Sequence, residues 1–118
     1  MRANELQKAA AKVGFDWDEV DPILEKVQEE LSEFKEAVNN KTFHDQEDEI
    51  GDLLFALVNV ARYYKIDPEV AIHRTNHKFV SRFQYIERRV KEKGLEIEKL
   101  SLEELDYFWN EAKQKGIK

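Results

Sequence analysis

The sequence predicts an all-α fold, and three of its features lead to that reading. Only four Gly and two Pro interrupt 118 residues, too little punctuation for a set of short strands. Apolar residues recur at helical spacing through each long segment, and no stretch alternates in the β manner for a useful length. Helix-start patterns open three segments: Asp21-Pro22, Asp67-Pro68 and the capping box Ser101-Leu102-Glu103-Glu104.

Four main helices and a short opening one are expected, in a single domain over residues 1–118. Asn4 to Val13 reads as the short helix, ended by Gly14. Asp21 as N-cap and Pro22 at the first helical position start the second, which runs to about Asn39, with Asn39-Asn40-Lys41 as the turn. The third covers roughly His44 to Lys65. Asp67-Pro68 starts the fourth, which ends at Gly94, and the capping box opens the last, which stops near Gly116.

Composition narrows the possible chemistry. Without cysteine, neither a disulfide framework nor a thiolate metal site can form. No apolar run approaches the ~20 residues of a membrane span. The opening Met1-Arg2-Ala3-Asn4-Glu5 lacks the apolar core of a signal peptide, so a cytoplasmic location is the expectation. A net charge of -6 argues against a nucleic-acid polymer as partner. It leaves room for a nucleotide, whose phosphate charge a divalent cation can carry locally.

Helical periodicity then sorts the polar residues by face. On the second helix Ile23, Leu24, Val27, Leu31, Phe34 and Val38 form an apolar face, with Glu30 and Glu33 at its border and Glu29 nearly opposite. Leu53 to Ala61 is apolar around almost the whole circumference, which predicts a central, buried third helix. Glu49, Asp52 and Asn59 lie along one narrow stripe of it. Carboxylates buried without compensation cost several kcal/mol, so a cation is expected among them. Ligation by oxygen alone suits a hard ion, Mg²⁺ or Mn²⁺. The bland alternative is solvated helix surface, which fits Glu30 and Glu33 better than Glu49 and Asp52.

The fourth helix carries Ile72, Thr75, Phe79, Phe83, Ile86 and Val90 on its expected core face. Lys78, Arg82 and Arg89 follow one flank, with Arg74 further out, a pattern that suits phosphate oxygens or salt bridges to the acidic helices. His73 and His77 fall on the polar side and read as solvent-exposed. On the last helix Trp109 and Lys113 are one turn apart and suit either nucleotide contact or, for Trp109, packing with Leu105 and Phe108. Trp17 reads as packing at the entry to the second helix.

Glu29-Glu30-Leu31-Ser32-Glu33, followed after fifteen residues by Glu49-Ile50-Gly51-Asp52, resembles the EExxE…ExxD pattern of the MazG family. Phe15-Asp16-Trp17, Gly51-Asp52-Leu53-Leu54-Phe55-Ala56, Val58-Asn59, and Asn76-His77-Lys78-Phe79 with Arg82-Phe83 extend the resemblance over about residues 5–113. The resemblance implies an all-α nucleoside triphosphate pyrophosphohydrolase that cleaves between the α- and β-phosphates. It implies Glu30, Glu33, Glu49 and Asp52 as catalytic magnesium ligands, and Lys78 and Arg82 as triphosphate contacts. Trp109, Lys113 and Asn59 are the further substrate-binding candidates. The chain is similar to the C-terminal of the two domains that longer members carry, so it stands alone or is part of a tandem protein. His44-Asp45-Gln46-Glu47-Asp48 departs from relatives that have a basic residue there.

The apolar excess on the third helix predicts a homodimer or larger helical assembly. Phosphoribosyl-ATP and dUTP- or dCTP-specific pyrophosphohydrolases share the acidic motif and are alternatives. A carboxylate di-iron bundle expects Glu-x-x-His pairs, which the acidic helices lack. A helical oligomerisation or regulatory module is the non-catalytic alternative.

Overall fold

The computed structural model describes residues 2–118, which form five α-helices, with no strand among the described residues. None of these helices is long and apolar enough to cross a membrane. The helices divide into two compact units, the first ending at Val70 and the second running from Ala71 to Lys118.

The first unit is built from α1 (Arg2–Lys12), α2 (Val20–Asn40) and α3 (Phe43–Tyr63). Gly14 takes a left-handed φ of 91°, which ends α1 and lets the Phe15 N–H donate back to the Ala10 carbonyl at 3.1 Å. A connection of only Lys41 and Thr42 folds α3 back along α2. Thr42 caps α3: its Oγ1 accepts from the Asp45 N–H, and the Asp45 carboxylate accepts from the Thr42 N–H, each at 3.3 Å. Asp45, part of the acidic run from His44 to Asp48, is thereby used locally. α1 packs on α3 through Gln7, whose Nε2 donates to the Phe55 carbonyl at 2.9 Å.

Two expectations for this unit are corrected. The start of α2 lies earlier than Asp21: Glu19 occupies the cap position and makes no side-chain cap bond, while Asp21 and Pro22 sit inside the first turn. Proline is tolerated there because the N–H groups of a first turn have no helical partner. Nor is α3 a buried central helix. Ala56 and Val58 are buried, but Leu54, Phe55 and Leu57 are exposed, because α1 and α2 cover only part of a helix that is apolar all round.

The second unit holds all of α4 (Pro68–Glu92) beyond its first turn, a 3₁₀ turn at Ile97–Lys99 and α5 (Leu102–Gln114). The predicted capping box of α5 is present, with Ser101 Oγ accepting from the Glu104 N–H and Glu104 accepting from the Ser101 N–H, both at 3.1 Å. Ile86, Val90 and Phe108 form the core, with Ile97, Leu100, Leu105 and Trp109 against them. The buried Tyr85 donates its hydroxyl to Glu111, which also accepts from Arg89 Nε at 2.9 Å. The expected core face of α4 is half right. Ile86 and Val90 are buried, whereas Ile72, Phe79 and Phe83 are exposed. At 13 residues against 25, α5 spans about half of α4, and it packs on the C-terminal half.

Candidate functional site

Glu30 comes from the middle of α2, and Glu49 and Asp52 from the second and third turns of α3. The α2–α3 hairpin brings a carboxylate oxygen of each to within 4.8 Å of the others. Glu30 is only 4% exposed, Glu49 is half-buried and Asp52 is open to solvent. This inverts the gradation expected from the sequence, where α3 carried the buried acids and Glu30 the border position. The reason lies in the packing: α2 turns Glu30 toward α3, whereas Glu49 is only partly covered and Asp52 stays open to solvent.

The charges are incompletely compensated. Lys26, one turn before Glu30, reaches its Oε1 at 3.0 Å. Oε2 of Glu30 and Oε2 of Glu49 are buried and accept from no donor. Glu33 stands beside them. A hydrogen bond with Glu30, and then the charges of Glu30, Glu49 and Glu29, push its carboxyl above the usual range. Glu33 can donate to Glu30 only when protonated; with both acids ionised, Glu30 has no donor on that side. Glu29 is exposed and reaches Lys26 at 3.6 Å, outside the group, as its helical position predicts.

Two buried, unpartnered carboxylate oxygens, on Glu30 and Glu49, and the exposed carboxylate of Asp52, all hard donors, form a set that a divalent cation fits. Beside them lies a cavity of about 610 Å³, within the size range of ligand sites. Glu30 and Asp52 line its acidic end; Phe15, Trp17 and Phe55 supply much of the apolar wall; Asn59 and Arg62 add polar groups. Trp17, expected to pack at the entry to α2, faces this cavity instead.

Sequence reasoning missed Gln7, Asp16, Lys26 and Arg62 as cavity residues. Arg62 lies one turn beyond Asn59, so the polar stripe of α3 continues to it, and Lys26 stands four residues before Glu30. Both spacings are visible in the sequence. Arg62 pairs with both oxygens of Asp16, at 3.1 and 2.5 Å. That contact, with the Trp17 N–H, holds the Asp16 carboxyl below its usual range.

The remaining candidates belong to the second unit. Arg82 donates from Nε to the Ile117 carbonyl at 2.8 Å, and its guanidinium lies 5.3 Å from the centre of the Trp109 ring. Trp109 also meets Phe79 at 5.8 Å and packs on the core of that unit. Lys78 is half-buried and Lys113 exposed. Arg89 is engaged by Glu111 and by Glu92 at 3.1 Å, so the salt bridges of this flank are internal to its own unit. His73 and His77 are exposed, as expected.

Residues 18–86 match the model of the MazG nucleotide pyrophosphohydrolase domain. The chain is 43% identical over 111 residues to the nucleoside triphosphate pyrophosphohydrolase/pyrophosphatase MazG of Thermotoga maritima, a match covering 94% of this chain and 42% of that protein. It is 40% identical over 121 residues to the nucleoside triphosphate pyrophosphohydrolase of Escherichia coli K12, covering 99% of this chain and 45% of the relative. A 71-residue match at 58% identity links it to the uncharacterized protein YabN of Bacillus subtilis, over 60% of this chain and 14% of that one. The chain thus spans less than half the length of these curated relatives. With the domain model matched over more than half its residues and an all-α fold carrying the acidic pattern on α2 and α3, the chain belongs to the MazG nucleotide pyrophosphohydrolase domain family.

Proposed function

We propose that this chain is a single MazG domain that hydrolyses nucleoside triphosphates between the α- and β-phosphates, releasing a nucleoside monophosphate and pyrophosphate. The observation that carries the reading is the pair of buried, unpartnered oxygens on Glu30 and Glu49, grouped with Asp52 beside a nucleoside-sized cavity. The names of the Thermotoga maritima and Escherichia coli relatives support the same activity.

Glu30, Glu33, Glu49 and Asp52 would hold Mg²⁺, with Mn²⁺ as a substitute. An ion held there would supply positive charge for the triphosphate and for the leaving pyrophosphate. The chain's own carboxylates orient the attacking water and receive its proton as the anhydride bond breaks. Lys78 and Arg82 are assigned as triphosphate contacts from the family resemblance, a role to which their positive charge is suited. The aromatic wall of the cavity suits a nucleobase, and Asn59 lines that cavity; Trp109 and Lys113 are assigned as substrate contacts from the family resemblance alone.

The exposed Leu54, Phe55 and Leu57 of α3, with Leu24 and Leu31 of α2, support a homodimer or larger assembly that covers them. Light scattering tests this directly; a mass near 14.0 kDa would contradict it.

The test of the activity is pyrophosphate release from a panel of nucleoside triphosphates with Mg²⁺, comparing the parent chain with Glu49→Gln. A loss of at least a hundredfold is expected, and undiminished release would overturn the role of these acids.

A further inference from the structure

Apart from its acids, the cavity of the first unit has one polar wall whose orientation can be derived. Arg62 uses four of its five N–H groups: Nε donates to Gln7 Oε1 at 3.3 Å, Nη1 and Nη2 hold Asp16, and Nη2 also reaches Asn59 Oδ1 at 3.2 Å. Gln7 is itself fixed, being 5% exposed and donating its Nε2 to the Phe55 carbonyl. A guanidinium has donors only, so the Asn59 carboxamide must turn its oxygen toward Arg62. Its NH₂ then carries two donors with no acceptor among the described residues, on a side chain that lines the cavity.

We propose that Asn59 is a specificity-determining residue, and that Arg62, anchored by Asp16 and Gln7, is the positioning residue that makes its cavity face donor-only. The ligand selected is a nucleoside whose planar heterocycle turns a carbonyl or ring-nitrogen acceptor toward Asn59, with its rings against Phe15, Trp17 and Phe55. A heterocycle that brings only N–H groups to this position is rejected, because opposed donors lose their water without gaining a partner. The proposal rests on the reading of this cavity as the nucleoside end of a triphosphate site.

Calorimetry on the full chain tests it, with Mg²⁺ and three probes: the α,β-methylene analogues of ATP and UTP, and inorganic tripolyphosphate, which has no nucleoside. Asn59→Asp keeps the size of the side chain and its contact with Arg62 but removes both donors. It is expected to weaken the better-bound nucleotide analogue about tenfold while leaving tripolyphosphate within about twofold. Arg62→Gln is expected to weaken that analogue about fivefold in the parent chain and less than twofold in an Asn59→Ala background, because its effect passes through Asn59. Tripolyphosphate binding also reports that each variant retains a folded site, and Asn59→Asp carries the test if Arg62→Gln does not fold. Equal weakening of nucleotide and tripolyphosphate, or of neither, overturns the role of Asn59. An Arg62→Gln effect of equal size in both backgrounds overturns the role of Arg62. A parent chain that binds tripolyphosphate but neither analogue overturns this proposal and leaves the acidic site standing, whereas one that binds no probe removes both.

Discussion

Replacing Glu30 by Gln is predicted to stabilise the ion-free protein while removing its response to Mg²⁺. Two unit charges 4.8 Å apart, the separation that bounds this carboxylate group, repel by about 1 kcal/mol at a water-like dielectric and about 3.5 kcal/mol at an effective value of 20. Glu30 faces both Glu49 and Asp52, so even the low value gives about 2 kcal/mol of relief when its charge is removed. Against this stands the ion pair with Lys26, a side chain 42% exposed, which is worth up to about 1 kcal/mol. The net gain is at least about 1 kcal/mol, or roughly 4 °C in Tm for a domain of this size. With Mg²⁺ at a hundred times its dissociation constant the parent chain gains about 2.7 kcal/mol, and the variant gains little. Thermal melting with and without Mg²⁺ should therefore show the order of stability reversing between the two conditions. A variant that melts below the parent without Mg²⁺ and responds equally to the ion refutes the reasoning.

Other consequences follow from the same structure. Because Glu33 is pushed above its usual range, the folded protein binds that proton more tightly than the unfolded chain, and the associated stability is present at low pH and lost as pH rises through the raised value. The melting temperature of the ion-free protein should fall across that window, and Glu33→Gln or added Mg²⁺ should flatten the fall. Glu111 behaves oppositely: Tyr85 and then Arg89 hold it below its usual range, so its contribution is present above the ordinary carboxylate range and lost on acidification. Tyr85→Phe should weaken that acid dependence and cost about 1–2 kcal/mol in denaturant unfolding. Lys65 adopts a left-handed φ of 60° after α3, so Lys65→Gly should raise stability by about 0.5–1 kcal/mol, read as a higher denaturation midpoint at constant slope.

The helices were legible because their signals are local. The Ser101 capping box, the Asp67-Pro68 start and the Gly14 stop each act within one turn, where sequence neighbours are also spatial neighbours. The meeting of Glu30 with Glu49 and Asp52 was legible for a related reason, since the periodicity of two helices joined by a short turn fixes which faces can meet. Depth was not legible. The apolar circumference of α3 reads as burial, but whether an apolar face is covered depends on what packs over it, and Leu54 and Leu57 are open here. Glu30 is the most buried of the acids for the same non-local reason. The Asp16–Arg62 pair spans 46 residues and joins a loop to a helix, so no periodicity of either segment announces it. Only the continuation of the α3 stripe from Asn59 to Arg62 hints that the arginine faces inward.

The most direct measurement is ³¹P NMR of the products formed from a nucleoside triphosphate with Mg²⁺ by the parent chain and by Glu49→Gln. The parent is expected to give nucleoside monophosphate and pyrophosphate, and the variant little of either. Nucleoside diphosphate with inorganic phosphate as the parent's products, or the same pyrophosphate yield from the variant, would contradict the assignment of these acids to an α–β pyrophosphohydrolase site.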